Sequence, residues 1–154
     1  MASYEVLRTN HTGFTVSSLD RSIPFFRDCL GFEVTSRARR DPKMVEIILG
    51  VPGADIEVAY LSGSGHTVEL IQYLSPAGIK SIKQRPCDLG FGHIALDVSG
   101  IDALLAKAGQ FGFKPLGPPV VSRQGGPNAG RTICYLRDDD GVTVELIQAA
   151  AAGT

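Results

Sequence analysis

The chain has 154 residues, 44% hydrophobic and 20% charged, enough for one ordinary domain or two half-sized modules sharing a core, and too apolar for a disordered segment. Fifteen Lys and Arg against sixteen Asp and Glu leave a net charge of -1, so no bulk field holds nucleic acid or an anionic membrane, and a small molecule is the expected partner. No apolar run approaches the roughly 20 residues that span a bilayer, Met1 to Asn10 carry no signal-peptide core, and Cys29, Cys87 and Cys134 lack C-x-x-C spacing; a reducing, cytoplasmic setting is expected, with neither a disulfide framework nor a thiolate zinc site.

In chain order, His11 to Val16 alternates as a strand, and Ser18 or Asp20 caps a helix in which Ile23, Phe26 and Leu30 recur at helical spacing until Gly31 stops it. Pro24 falls within or just after the first turn, where a missing N–H costs least. Glu33 to Arg37, Met44 to Leu49, Glu57 to Leu61 and His66 to Tyr73 read as strands, separated by turn-rich Gly50 to Gly53 and Ser62 to Gly65. Residues 75–89, with Pro76, Gly78 and Pro86, form a linker. Beyond it His93 to Val98 is a strand, Ile101, Leu104, Leu105, Ala108 and Phe111 mark a helix ending near Gly112, and strands follow at Lys114 to Leu116, Thr132 to Leu136 and Val142 to Gln148. Asp140-Gly141 suits a tight hairpin turn, and the small-residue tail from Ala149 to Thr154 is expected to fray.

The halves echo one another. Thr67-Val68-Glu69-Leu70-Ile71-Gln72 returns unchanged as Thr143-Val144-Glu145-Leu146-Ile147-Gln148, and His11 to Val16 is matched more loosely by His93 to Val98. Such a period implies two copies of one unit, module 1 at about 7–74 and module 2 at about 90–148 within one domain, 1–154. The expected fold is α+β: two tandem βαβββ modules forming a curved, partly closed mixed sheet with helices outside. Because strand side chains alternate between faces, Glu69 and Glu145 lie opposite Val68, Leu70, Val144 and Leu146, and His11 and His93 likewise oppose the bulky apolar positions. Two such units side by side bring two imidazoles and two carboxylates together. Buried carboxylates are costly to keep ionised, and a divalent ion offsets that cost; this donor set suits Zn, Ni, Co, Mn or Fe(II) with positions left open for substrate.

At these residues the chain resembles the vicinal oxygen chelate superfamily, the group of glyoxalases, methylmalonyl-CoA epimerases, extradiol dioxygenases and fosfomycin or bleomycin resistance proteins. The resemblance runs from about Leu7 to Gln148 and is carried by His11 to Val16, Leu19 to Val34, Gly92 to Val98 and Asp140 to Leu146. It implies metal ligands at His11, Glu69, His93 and Glu145, a set similar to glyoxalase I, whereas the epimerases typically have Gln at the position of Glu69. It further implies that vicinal substrate oxygens chelate the ion while Glu69 or Glu145 moves a carbon-bound proton, giving an isomerase or lyase acting on a small carbonyl compound. The alternatives are an Fe(II) dioxygenase, disfavoured by the second Glu, and a non-catalytic binding or resistance protein, disfavoured by the intact ligand set. Open strand edges and the habit of the superfamily imply a homodimer, with the site built within one chain or between two. No signature of glutathione or CoA binding is evident. Secondary features are His66, expected at the surface, the Arg37, Arg39 and Arg40 cluster, expected at a solvated strand end, and residues 124–131, a candidate lid.

Overall fold

Apolar alternation and local capping divide the chain as follows in the computed structural model, which describes residues 4–123 and 125–150. The first half comprises β1 (Thr12–Thr15), α1 (Leu19–Pro24), a π-helical turn (Phe25–Cys29), β2 (Glu33–Arg39), α2 (Pro42–Leu49), β3 (Asp55–Gly63) and β4 (His66–Ser75). Ser18 caps α1, its side chain accepting from the Arg21 N–H. Pro24 ends it: lacking an N–H to give back, it is followed by a wider turn in which the Leu30 N–H donates to Phe25 O at 3.1 Å. The second half comprises β5 (Ile94–Val98), α3 (Ile101–Gly109), β6 (Lys114–Pro115), β7 (Val120–Val121), β8 (Thr132–Arg137) and β9 (Thr143–Gln148).

The two halves make separate sheets, ordered β1-β4-β3-β2 and β5-β9-β8-β6, with β7 also on β8. The α+β class with tandem modules therefore stands, but the sheets do not close on one another. In each, the first strand runs parallel to the last, with Gly13 beside Glu69 and Ala95 beside Glu145.

One segment departs from expectation. Residues 44–49 form helix, not strand: Asp41 accepts from the Lys43 and Met44 N–H groups, Pro42 opens the first turn, and Gly50 closes the helix at φ 63°. These punctuation marks outweigh the β-branched run they enclose. The pair Val120–Val121 was also not foreseen as a strand; it is held only by its ladder to β8. The tail beyond Ala150 and Gln124 lie outside the described residues.

One core joins the halves. Val68, Leu70, Val144 and Leu146, all fully buried, share a cluster with Phe25, Phe26, Ile101, Ala108 and Phe113. The Phe25 and Phe113 rings stack with centroids 3.5 Å apart, and Asp140 bridges the halves by accepting from the Ser17 N–H at 2.8 Å and pairing with Arg21 at 2.5 Å. The modules thus join through their helix-bearing faces. Replacing Phe113, 1% exposed, with Ala is expected to cost about 3–5 kcal/mol, whereas Asp41→Ala, which removes only a cap, costs about 1 kcal/mol; equilibrium urea denaturation checks both.

Candidate functional site

The face of each sheet turned away from that core carries the polar residues selected above. On the first sheet His11, just ahead of β1, reaches the neighbouring β4, where its Nε2 lies 3.2 Å from Glu69 Oε2. On the second, His93 just ahead of β5 reaches β9, with Nε2 3.0 Å from Glu145 Oε2. The exposures match as well as the distances: the side chains are 32% and 15% exposed in the first pair, 32% and 13% in the second. The duplication has reproduced a half-site.

The four residues do not converge within one chain. Among the described residues no group of three or more His, Cys, Asp or Glu lies close enough to hold one ion, and the expectation that side-by-side modules would gather all four is corrected accordingly. The reason lies in the core, where the modules meet through the faces opposite the ligand candidates. Clefts lie elsewhere, one of about 450 Å³ between Thr15 to Ser17, Tyr73, the linker residues Ile79 to Ile82 and Asp140. His11, Glu69, His93 and Glu145 are on open sheet faces.

Each half-site has a supporting set that the sequence reading missed. His11 Nδ1 is 2.7 Å from Asn10 Oδ1; an amide oxygen there accepts from Nδ1–H and orients the ring with Nε2 toward the carboxylate. Tyr60, opposite Glu69 in the β3–β4 register, donates its hydroxyl to Glu69 Oε1 at 2.5 Å. Tyr135, opposite Glu145 in the β8–β9 register, brings its hydroxyl to 3.3 Å from His93 Nε2. The Glu69 hydrogen bond, then burial, pushes the Tyr60 phenol up, while burial, then the Glu145 charge and a hydrogen bond to Glu145, does the same for Tyr135; both remain donors at neutral pH. A faint signal existed in the echo of Ala59-Tyr60-Leu61 by Cys134-Tyr135-Leu136.

The donors fit a divalent ion. Bonds of about 2.0–2.1 Å to one metal put adjacent donor atoms roughly 3.0–3.4 Å apart, the separation found in both pairs. The same separation suits an Nε2–H donated to the carboxylate, so either a proton or a metal ion between the two atoms makes each contact favourable.

The secondary features have other uses. His66 is half-buried rather than free at the surface, its Nε2 2.9 Å from Thr12 Oγ1. Arg37 pairs with Glu57 and Asp20, Arg39 with Asp55, and Arg40 lies over the Tyr60 ring at 5.8 Å, so two of the three are consumed in ion pairs. Residues 125–130 form turns, and Arg131 pairs with Asp97 at 2.7 Å. The thiols of Cys29, Cys87 and Cys134 are free. No helix among the described residues is long and apolar enough to cross a membrane.

Comparison with known proteins places the fold in a family. Residues 8–146 match the Glyoxalase/Bleomycin resistance protein/Dioxygenase superfamily, and the chain belongs to that family. A probable lactoylglutathione lyase of Vibrio parahaemolyticus is 31% identical over 149 residues, which cover 92% of this chain and 90% of the relative. A putative lactoylglutathione lyase of Brassica oleracea is 32% identical over 145 residues, 90% of this chain; the chain spans only 43% of that relative's length. A 2-epi-5-epi-valiolone epimerase from an Actinomyces species is 29% identical over 147 residues, 92% of this chain and 79% of the relative. The crystal structure of a glyoxalase family protein from Bacillus cereus has the same fold, with a TM-score of 0.82, 25% identity, and coverage of 98% of this chain and 99% of that one.

Proposed function

We propose that this protein is a divalent-metal-dependent enzyme that moves a proton at a carbon next to a carbonyl, an isomerase or lyase whose small substrate chelates the ion through vicinal oxygens. The observation that carries this reading is the pair of His–Glu half-sites, each with nitrogen and oxygen one coordination edge apart, 3.2 and 3.0 Å. Relatives named as a lyase and an epimerase support proton-transfer chemistry over oxygen insertion. A bound Zn, Ni, Co, Mn or Fe(II) ion supplies Lewis acidity that stabilises negative charge developing on the substrate oxygens.

The ligands are His11, Glu69, His93 and Glu145, drawn from two chains. The half-sites lie apart within one chain, and β1 and β5, the strands they border, are both sheet edges. A second copy that lays its His93–Glu145 face against the His11–Glu69 face completes a four-ligand set twice over, once on each side of a twofold axis. The protein is therefore a homodimer, and sedimentation should give a species of twice the 16.4 kDa chain mass; a monomer at all concentrations refutes the shared site.

Within that site Glu145 is the base. Glu69 is tied down through Oε1 by the 2.5 Å bond from Tyr60, whereas the corresponding Tyr135 hydroxyl is shared between Glu145 and His93 Nε2, 3.3 Å away, and holds the Glu145 carboxylate less tightly. A carboxylate free to swing from ion to substrate carbon can take the proton and return it. The imidazoles contribute neutral donors, with Asn10 fixing the His11 proton on Nδ1.

His93→Ala is expected to abolish stoichiometric metal without loss of fold, read by elemental analysis and circular dichroism; unchanged metal content disproves the assignment. Mixing inactive His11→Ala and His93→Ala chains should restore part of the activity, since one of the two sites in the mixed dimer is intact. Glu145→Gln should lower turnover by about 10²- to 10⁴-fold while keeping the fold, measured as solvent deuterium incorporation into hemithioacetal, 2-hydroxyketone, α-keto or acyl-CoA substrates. Oxygen uptake with a catechol and no proton exchange with any of these would replace this reading by a dioxygenase.

A further inference from the structure

We infer that Tyr60 is a positioning residue of the first half-site, holding Glu69 so that a single carboxylate oxygen is presented beside His11. This rests on the metal reading above and goes beyond it by assigning a role to a residue outside the four ligands. A carboxylate has two oxygens and can bind an ion through either or both. Here the Tyr60 hydroxyl occupies Oε1 at 2.5 Å, leaving Oε2 as the oxygen next to His11 Nε2 at 3.2 Å.

The phenol is itself held on several sides. Its ring packs beside the cluster of Val45, Ile56, Val58 and Ile71 under α2, meets the His11 ring edge-on at 5.6 Å, and carries Arg40 at 5.8 Å over its face. A hydroxyl on so constrained a ring costs little further entropy when it orders the carboxylate. Gly13 completes the seat: a β-carbon there would stand 3.2 Å from Glu69 Oε2, tighter than an ordinary contact. Glycine leaves the free oxygen its room.

The second half-site has a weaker form of this device. Ala95 stands where Gly13 does, among the described residues no helix matches α2 between β6 and β8, and the Tyr135 hydroxyl is divided between Glu145 and the histidine nitrogen, 3.3 Å away. Two half-sites from one ancestral unit therefore offer one more tightly and one less tightly held carboxylate.

Tyr60→Phe tests this directly, since it keeps the packed ring and removes only the hydroxyl. Zn²⁺ affinity, measured by chelator competition on the whole protein, should fall about 10- to 100-fold, with unchanged circular dichroism. Tyr135→Phe should change it far less. The chain has no Trp and four Tyr, so Zn²⁺ binding should also perturb the near-ultraviolet tyrosine spectrum, and the change in Tyr135→Phe, which keeps Tyr60, should exceed that in Tyr60→Phe. Wild-type Zn²⁺ affinity in Tyr60→Phe overturns the inference while leaving the metal site standing; no Zn²⁺ uptake by the wild type removes both. Should Tyr60→Phe fail to fold, the Tyr135→Phe spectrum decides alone, and a silent spectrum at Zn²⁺ saturation is the refuting result.

Discussion

Parallel pairing of β1 with β4 and of β5 with β9 is the constraint from which the remaining structure follows. The ladders set Gly13 beside Glu69 and Ala95 beside Glu145, and each histidine lies two residues earlier on the same strand face, within reach of its carboxylate. Parallel strands cannot be joined by a tight hairpin; they need a crossover, which here contains α1 or α3. Each crossover helix must bury its apolar side against the sheet, and only the face carrying Val68 and Leu70, or Val144 and Leu146, can receive it. The opposite face is thereby left for chemistry. The final Gln of the repeat ties the crossover to the ladder, since Gln72 Oε1 accepts from the Leu19 N–H at 2.8 Å and Gln148 Oε1 from the Ile101 N–H at 2.7 Å. These bonds satisfy helix donors that would otherwise lack a partner.

The hexapeptide repeat made much of this legible. Period-two alternation assigns Val and Leu to the core and Glu to the other face without reference to any structure, and the echo of His11 in His93 pairs each carboxylate with an imidazole. The helix at 42–49 was hidden because Val45, Ile47 and Ile48 favour strands, while Asp41, Pro42 and Gly50 act through backbone bonds and φ values that composition does not weigh. The arrangement of modules was hidden for another reason. Periodicity says which face of a sheet is apolar, but not which apolar faces will meet, and here Phe25 stacks on Phe113 to join the two helix-bearing sides. Tyr60 and Tyr135 escaped notice because their role depends on cross-strand register, a long-range property.

The α2 segment gives the two halves different surroundings. Val45 closes a small cluster with Ala54, Ile56 and Val58 on the face that bears Glu69, beside Tyr60, Ile71 and Tyr73. The first half-site is thus walled by apolar side chains, and the second is flanked by Phe91, stacked 5.8 Å from the His93 ring. An apolar wall lowers the local dielectric and strengthens every charge interaction next to it, which favours keeping Glu69 in place through Tyr60.

In the proposed enzyme, duplication followed by this divergence would resolve a conflict built into metal-assisted proton transfer. A carboxylate that neutralises the ion binds it well but is a poor base, and one that leaves readily is a good base but a weak ligand. Two identical half-sites would make the same compromise twice. Unequal support would divide the demands instead: the hydroxyl of Tyr60 and the space beside Gly13 hold one carboxylate, and the other keeps more freedom beside Ala95, with a Tyr135 hydroxyl that it shares with His93. Because the two halves come from different copies of the chain in the proposed dimer, the more tightly and the less tightly held carboxylate face each other across the interface, and dimerisation itself brings the unlike partners together.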